Sequence, residues 1–174
     1  MIARRATLAI MLIGVATMTL QTVGDHSPLL VWNASASVPI GLYAIRPVDQ
    51  LGINELVVVR PPDNLASVLA NGGYLPRGVP LVKRVAALPG QTVCRVGGAV
   101  TIDTIAAGEA RERDSRGRPL PVWQGCRVLA DGEVFHMNPQ SADSFDGRYF
   151  GPLPAASIVG RAIPHWTDPP ETKE

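Results

Sequence analysis

The chain has 174 residues, 46% hydrophobic and 18% charged, with 17 glycines and 16 prolines. That length suits one main domain, and the composition is that of a globular, turn-rich chain leaning toward β structure. Sixteen basic residues against fifteen acidic ones leave a formal charge of +1, and the lack of a basic patch argues against nucleic acid as a partner.

The first element is "MIARRATLAIMLIGVATMTLQTVGDHSP". Arg4 and Arg5 precede an apolar run, residues 6–23, that no charge interrupts. About 18 residues at roughly 1.5 Å each reach about 27 Å, close to the hydrocarbon thickness of a bilayer. Threonines and Gln21 weaken the span, and a cleaved signal peptide is the rival reading. No clear A-x-A site follows, and cleavage near Gly24 would leave the next motif at a frayed terminus. The reading is an uncleaved transmembrane anchor over 1–24, arginines inside and the remainder outside.

Just beyond comes "NASASVPIGLY", residues 33–43. Pro39 and Gly41 predict a sharp bend, which as a surface turn needs no further account. A bend that fixes a hydroxyl is also what a serine nucleophile needs. "LYAIRPV" and "ELVVVRPP" then read as short strands ended by prolines. "PDNLASVLANGG" predicts a short helix, capped by Asp63 or Asn64 and stopped by Gly72 and Gly73. "PLVKRVAALPG" is a strand closed by a Pro89-Gly90 turn, and "QTVCRVGGAVTID" a hairpin turning at Gly97-Gly98.

Residues 104–125 are polar and broken by glycine and proline, and read as an excursion from the sheet that Cys126 ties back. "GEVFHMN" and "ASIVGRAIPHW" are the last strands, and 168–174 a frayed tail. The sum is a mainly antiparallel β domain, 25–167, behind one membrane helix. Outside the cytoplasm Cys94 and Cys126 are expected to form a structural disulfide. With no C-x-x-C and with His26, His136 and His165 scattered, no metal or redox cofactor is expected.

In "PLVKRVAAL", strand alternation puts Lys83 on one face with Leu81, Val85 and Ala87. One reading is a lysine whose stem packs on apolar surface while its head reaches water. The other is a desolvated amine able to act as a base. A free lysine is neutral at pH 7 only about once in 2,500, a cost of roughly 4.6 kcal/mol that burial reduces. A third stretch, "MNPQSADSFDGRYFGPLP" (137–154), packs serines, aspartates, an arginine and aromatics into a glycine-marked loop. Alone it reads as a solvated turn, but Ser144 and Asp146 are short polar groups that could orient a buried amine.

Together "SASVPIGLY", "LVKRVAALPG" and "SFDGRYFGP" resemble the boxes of the Ser/Lys type I signal peptidases, most closely the conjugative-transfer branch. That resemblance implies a signal-peptidase-like antiparallel β-sheet domain behind a transmembrane helix. It implies Ser37 as nucleophile, Lys83 as general base, Ser35 as oxyanion-hole hydroxyl, Ser144 as the group orienting the lysine, and Asp146 as the nearby carboxylate. Gln91 departs from the aspartate that relatives often carry after the Pro-Gly turn.

The implied reaction is cleavage, and for some relatives cyclisation, of a membrane-held pilin precursor, with membrane lipid around the anchor and the catalytic domain in the periplasm of a bacterial inner membrane. Other readings are a general leader peptidase, a Ser-His-Asp hydrolase using His136, and a catalytically inactive β subunit of the transfer apparatus.

Overall fold

The computed structural model describes residues 2–22 and 29–169. His26 and residues 170–174 of the expected tail lie outside them. Helix α1 (Ile2–Thr22) covers residues 6–22 of the apolar run, with side chains described over 6–16, all exposed. Among the described residues no helix is long and apolar enough to cross a membrane, so the anchor rests on the sequence.

The remaining elements run β1 (Leu30–Asn33), β2 (Gly41–Arg46), β3 (Leu56–Val59), α2 (Asp63–Asn71), β4 (Leu81–Ala87), β5 (Thr92–Val96), β6 (Ala99–Ile102), β7 (Ile105–Glu109), β8 (Gly125–Val128), β9 (Glu133–His136), α3 (Gly147–Phe150), β10 (Leu153–Pro154) and β11 (Ile158–Thr167). Every paired neighbour is antiparallel. A seven-stranded sheet is ordered β1-β2-β11-β3-β4-β9-β10, and a second sheet β7-β6-β5-β8.

At β3 the large sheet is buried on both sides, which explains why "LVVV" is continuously apolar instead of alternating. Val57 and Val59 join Leu65 and Leu69 of α2, Val85, Val134 and Leu153 in one core, while Val58 packs with Val38, Tyr43, Ile45, Val82 and Ala162 in another. The alternation expected for β4 holds through Val85. A register shift between Val85 and Ala87 then turns Ala87 into a third core, with Val93, Val100, Leu129, Phe135 and Met137, that joins the two sheets.

Helix α2 stops at Gly72 and Gly73 as expected, but its N-cap is Pro62, with no side-chain capping bond. Asn64 instead bonds the amide of Leu65. Gln91, which follows the Pro89-Gly90 turn, is held at both ends of its amide. Gln91 Oε1 accepts from Leu88 N at 2.9 Å and Nε2 donates to Asp103 Oδ2 at 2.7 Å.

Residues 104–125 correct the excursion reading. Residues 105–109 are strand β7, paired with β6, and were illegible because an exposed edge strand has no buried face to pattern. The rest of the stretch folds back onto the 138–150 loop: Trp123 Nε1 donates to Gly147 O at 2.9 Å, and Arg111 pairs with Asp143. At the far end Thr167 is still strand and Asp168 N donates to Ile40 O at 2.8 Å, so the start of the expected tail is tied to the 33–43 bend.

Cys94 and Cys126 face each other across β5 and β8 and are disulfide-bonded, 32 residues apart. Replacing both with serine should lower unfolding stability by about 2–4 kcal/mol through loop entropy. Urea unfolding of the oxidised wild type and the double variant measures the difference.

Candidate active site

The 33–43 bend is built around Asn33, which is buried at the end of β1. Its Nδ2 lies 2.7 Å from Ser35 O, 3.1 Å from Val38 O and 3.1 Å from Pro39 O, and its Oδ1 accepts from Ser35 N at 3.3 Å and Ser35 Oγ at 3.1 Å. One side chain thus satisfies the backbone of a loop that has no ladder to bond to. Tyr43 adds its hydroxyl to Pro39 O at 2.6 Å. Gly41 is required because its φ is +146° and a Cβ there would stand 2.2 Å from Trp166 O of β11.

This bend presents Ser37 beside Ser35, with the two Oγ atoms 3.0 Å apart. Ser35 has a single hydroxyl proton, which serves either Asn33 Oδ1 or Ser37 Oγ. Lys83 enters from β4, opposite Val57 in the ladder. It is 4% exposed, its Nζ donates to Ser144 Oγ at 2.8 Å, and it lies 3.5 Å from Ser37 Oγ. Burial pulls its pKa down from 10.5 to about 8; the Asp146 charge raises it against that trend, and the Arg148 charge lowers it further.

Asp146 is fully buried, and both its oxygens are occupied. Oδ1 accepts from Arg148 Nε at 2.9 Å and Arg148 N at 3.1 Å, and Oδ2 accepts from Arg148 Nη2 at 2.9 Å and Asn138 N at 3.0 Å. It reaches Lys83 through its charge and through the loop it organises. Arg148 also donates to Ser141 O at 2.7 Å and Ser144 O at 3.2 Å, which holds Ser144 under the amine. Gly147 lets this loop close on β9, since a Cβ there would meet His136 O and the Phe135 ring at 2.6 Å.

The structure therefore brings Ser35, Ser37, Lys83 and Ser144 into one hydrogen-bonded row, with Asp146 behind it. His136 is not part of that row. It is buried, neither ring nitrogen makes a well-formed hydrogen bond, and burial first, then the Lys83 charge, lowers its pKa to about 4 against a raising contact with the Val134 backbone. Among the described residues no group of His, Cys, Asp and Glu could hold a metal.

The sequence profile of the signal peptidase family, peptidase S26, matches residues 2–166. The chain belongs to that family. A probable conjugal transfer protein TraF of Sinorhizobium fredii is 38% identical to this S26 chain over 168 residues, covering 87% of each. A conjugal transfer protein TraF of Agrobacterium fabrum is 36% identical, over 79% of this chain and 82% of its own. A solved signal peptidase I of Enterococcus faecalis is 18% identical, with a TM-score of 0.40, over 66% of this chain and 97% of that one.

Sequence reasoning did not single out Asn33 or Asn138. Their one signal is position: Asn33 ends the strand before the serine bend, and Asn138 stands before Pro139 where a strand must end.

The buried lysine carries a stability signature. Its folded pKa lies below its unfolded value, so between about pH 8 and 10.5 the unfolded state binds more protons and stability rises with pH. Lys83→Met removes that dependence. Its stability relative to wild type should fall by about 3 kcal/mol as the pH is raised across this window. Urea unfolding at the two ends is the check, and a constant difference would contradict the depressed pKa.

Proposed function

We propose that this S26 protein is a membrane-anchored serine endopeptidase that uses Ser37 as nucleophile and Lys83 as general base. The observation that carries the reading is the buried Lys83 amine, bonded to Ser144 and 3.5 Å from Ser37 Oγ. With a pKa of about 8, roughly one amine in ten is neutral at pH 7, against about one in 2,500 for a free lysine. One N–H then goes to Ser144, and the lone pair is available to the Ser37 proton.

Ser37 Oγ attacks the scissile carbonyl as Lys83 takes its proton. The oxyanion rests on Ser37 N–H and on the Ser35 hydroxyl, which turns from Asn33 or Ser37 toward it. The tetrahedral intermediate expels the amine, which receives the proton from Lys83, and leaves an acyl ester on Ser37. Water then releases the acid; attack by the substrate's own amine would instead give a ring. Asp146 and Ser144 orient the base.

The proposed substrate is a membrane-held precursor, in the manner of a pilin subunit for conjugative transfer. The TraF relatives support the setting. An extended segment would add beside the free edge of β1, the strand that leads into the serine bend. We place α1 in a bacterial inner membrane, with Arg4 and Arg5 inside and the catalytic domain in the periplasm, a compartment that suits the Cys94–Cys126 disulfide. A reporter fused after Glu174 should be active only outside the cytoplasm. A mature chain beginning near Asp25 would remove the anchor.

Cleavage of a peptide spanning the processing site tests the chemistry. The wild-type rate should rise with pH through an apparent value near 8. Ser37→Ala and Lys83→Arg should both be inactive though folded, because guanidinium does not deprotonate at accessible pH. Ser35→Ala should lose about 10²–10³ in rate for one oxyanion donor. His136→Ala should keep the pH limb. A Lys83→Arg enzyme within about tenfold of wild type, on a scale where general-base loss costs 10²–10⁴, would overturn the assignment. The mass of the product from membranes holding the precursor separates hydrolysis from cyclisation, the ring being lighter by one water.

A further inference from the structure

We propose that Asn138 is a positioning residue for Lys83, its side-chain amide clamping the peptide groups on both sides of the lysine. This inference rests on reading Lys83 as the base. The ladder between β4 and β9 contains only Val85 opposite His136 and Ala87 opposite Phe135. Met137 N adds one more bond, to Arg84 O at 3.0 Å. There the chain must leave the ladder, because Pro139 follows and has no N–H to donate.

The Asn138 side chain takes over where the ladder ends. Its Oδ1 accepts from Arg84 N at 2.9 Å, and its Nδ2 lies 3.4 Å from Val82 O. The carbonyl before Lys83 and the N–H after it are thus held by one short planar group that is completely buried. Asparagine alone offers an acceptor and a donor at that reach: aspartate only accepts, alanine does neither, and glutamine is one methylene longer. The Asn138 backbone N–H donates to Asp146 Oδ2 at 3.0 Å. The ion pair that orders the 138–148 loop is thereby tied to the strand that carries the base.

The clamp sets where Nζ projects and how well water is kept from it. The charged and titratable groups that act on Lys83 are Asp146, which raises its pKa, and Arg148, which lowers it; His136 stays neutral. Arg84, next in the strand, is half-buried, with Nη1 on Asn54 O at 2.9 Å. Freeing the strand lets water reach the ammonium, so the pKa moves back toward the ordinary lysine value.

The test is peptide cleavage by the full chain and by Asn138→Ala and Asn138→Asp, with kcat and KM followed across pH and folding checked by circular dichroism. Asn138→Ala should lose about tenfold or more in kcat near pH 7.5 with KM little changed, and its rate limb should move up by about one pH unit, so that the deficit shrinks toward pH 10. Asn138→Asp should move the limb further up, because a second carboxylate then stands by the ammonium. Should the alanine variant not fold, Asn138→Gln, which is uncharged and one methylene too long for the clamp, carries the same test.

A kcat deficit equal at every pH, a loss confined to KM, or an unchanged profile would overturn the clamp. Lys83→Arg run alongside separates the two readings. If it is active, the base assignment fails. If it is inactive while Asn138→Ala keeps the wild-type limb, only the clamp fails.

Discussion

The organisation of this protein turns on one unfavourable burial. A lysine amine sits 4% exposed in a sheet whose neighbours are valines, and the protein must hold it there without a salt bridge of its own. A direct ion pair would stabilise the ammonium and cancel the downward shift of its pKa. Instead the carboxylate that acts on it, Asp146, is paired with Arg148 and reaches Lys83 only through its charge, while a neutral hydroxyl, Ser144, takes the hydrogen bond. The lysine is oriented while its pKa stays low.

Holding that arrangement demands a rigid surround, and the second sheet supplies it. Arg95 of β5, buried, donates to Arg148 O and to Pro121 O. Trp123 holds Gly147 O and stacks edge-on against Phe135. Tyr149 accepts from Arg111 N at 3.1 Å and stacks on Phe145. A segment that looks peripheral in the sequence is packed against the loop that positions Lys83, and the disulfide ties its far end to β5. Local looseness in that loop would let water in and raise the lysine pKa, so here packing and acid–base behaviour are the same property.

Both loops that meet at the site use a buried asparagine for the same reason. The Ser37 hydroxyl and the Lys83 amine project from backbone where a ladder has ended, and each peptide group left there still needs a partner. Asn33 does this for the serine bend and Asn138 for the lysine strand. Both are inexpensive in volume and carry no charge, so neither disturbs the titration of the neighbouring amine. Close approach of backbones then forces glycine at positions 41 and 147.

The sequence by itself determined the β character, most of the strands, the hairpin at Gly97-Gly98 and the cysteine pair, and it singled out Ser35, Ser37, Lys83 and Ser144, whose side chains folding brings together. Those signals are local: alternation along a strand, Pro-Gly turns, and box spacing that survives as a resemblance. Strands β7 and β8 were illegible because exposed edges carry no apolar pattern, and the expectation that Asp63 or Asn64 caps α2 failed because Pro62 takes that place. Whether Lys83 snorkels to water or stays dry was undecidable from alternation, since both put it on an apolar face. Only the tertiary structure decided it. Desolvation is set by what packs over the amine, and here that cover comes from residues 37 and 144, far away in the chain and brought together only by folding.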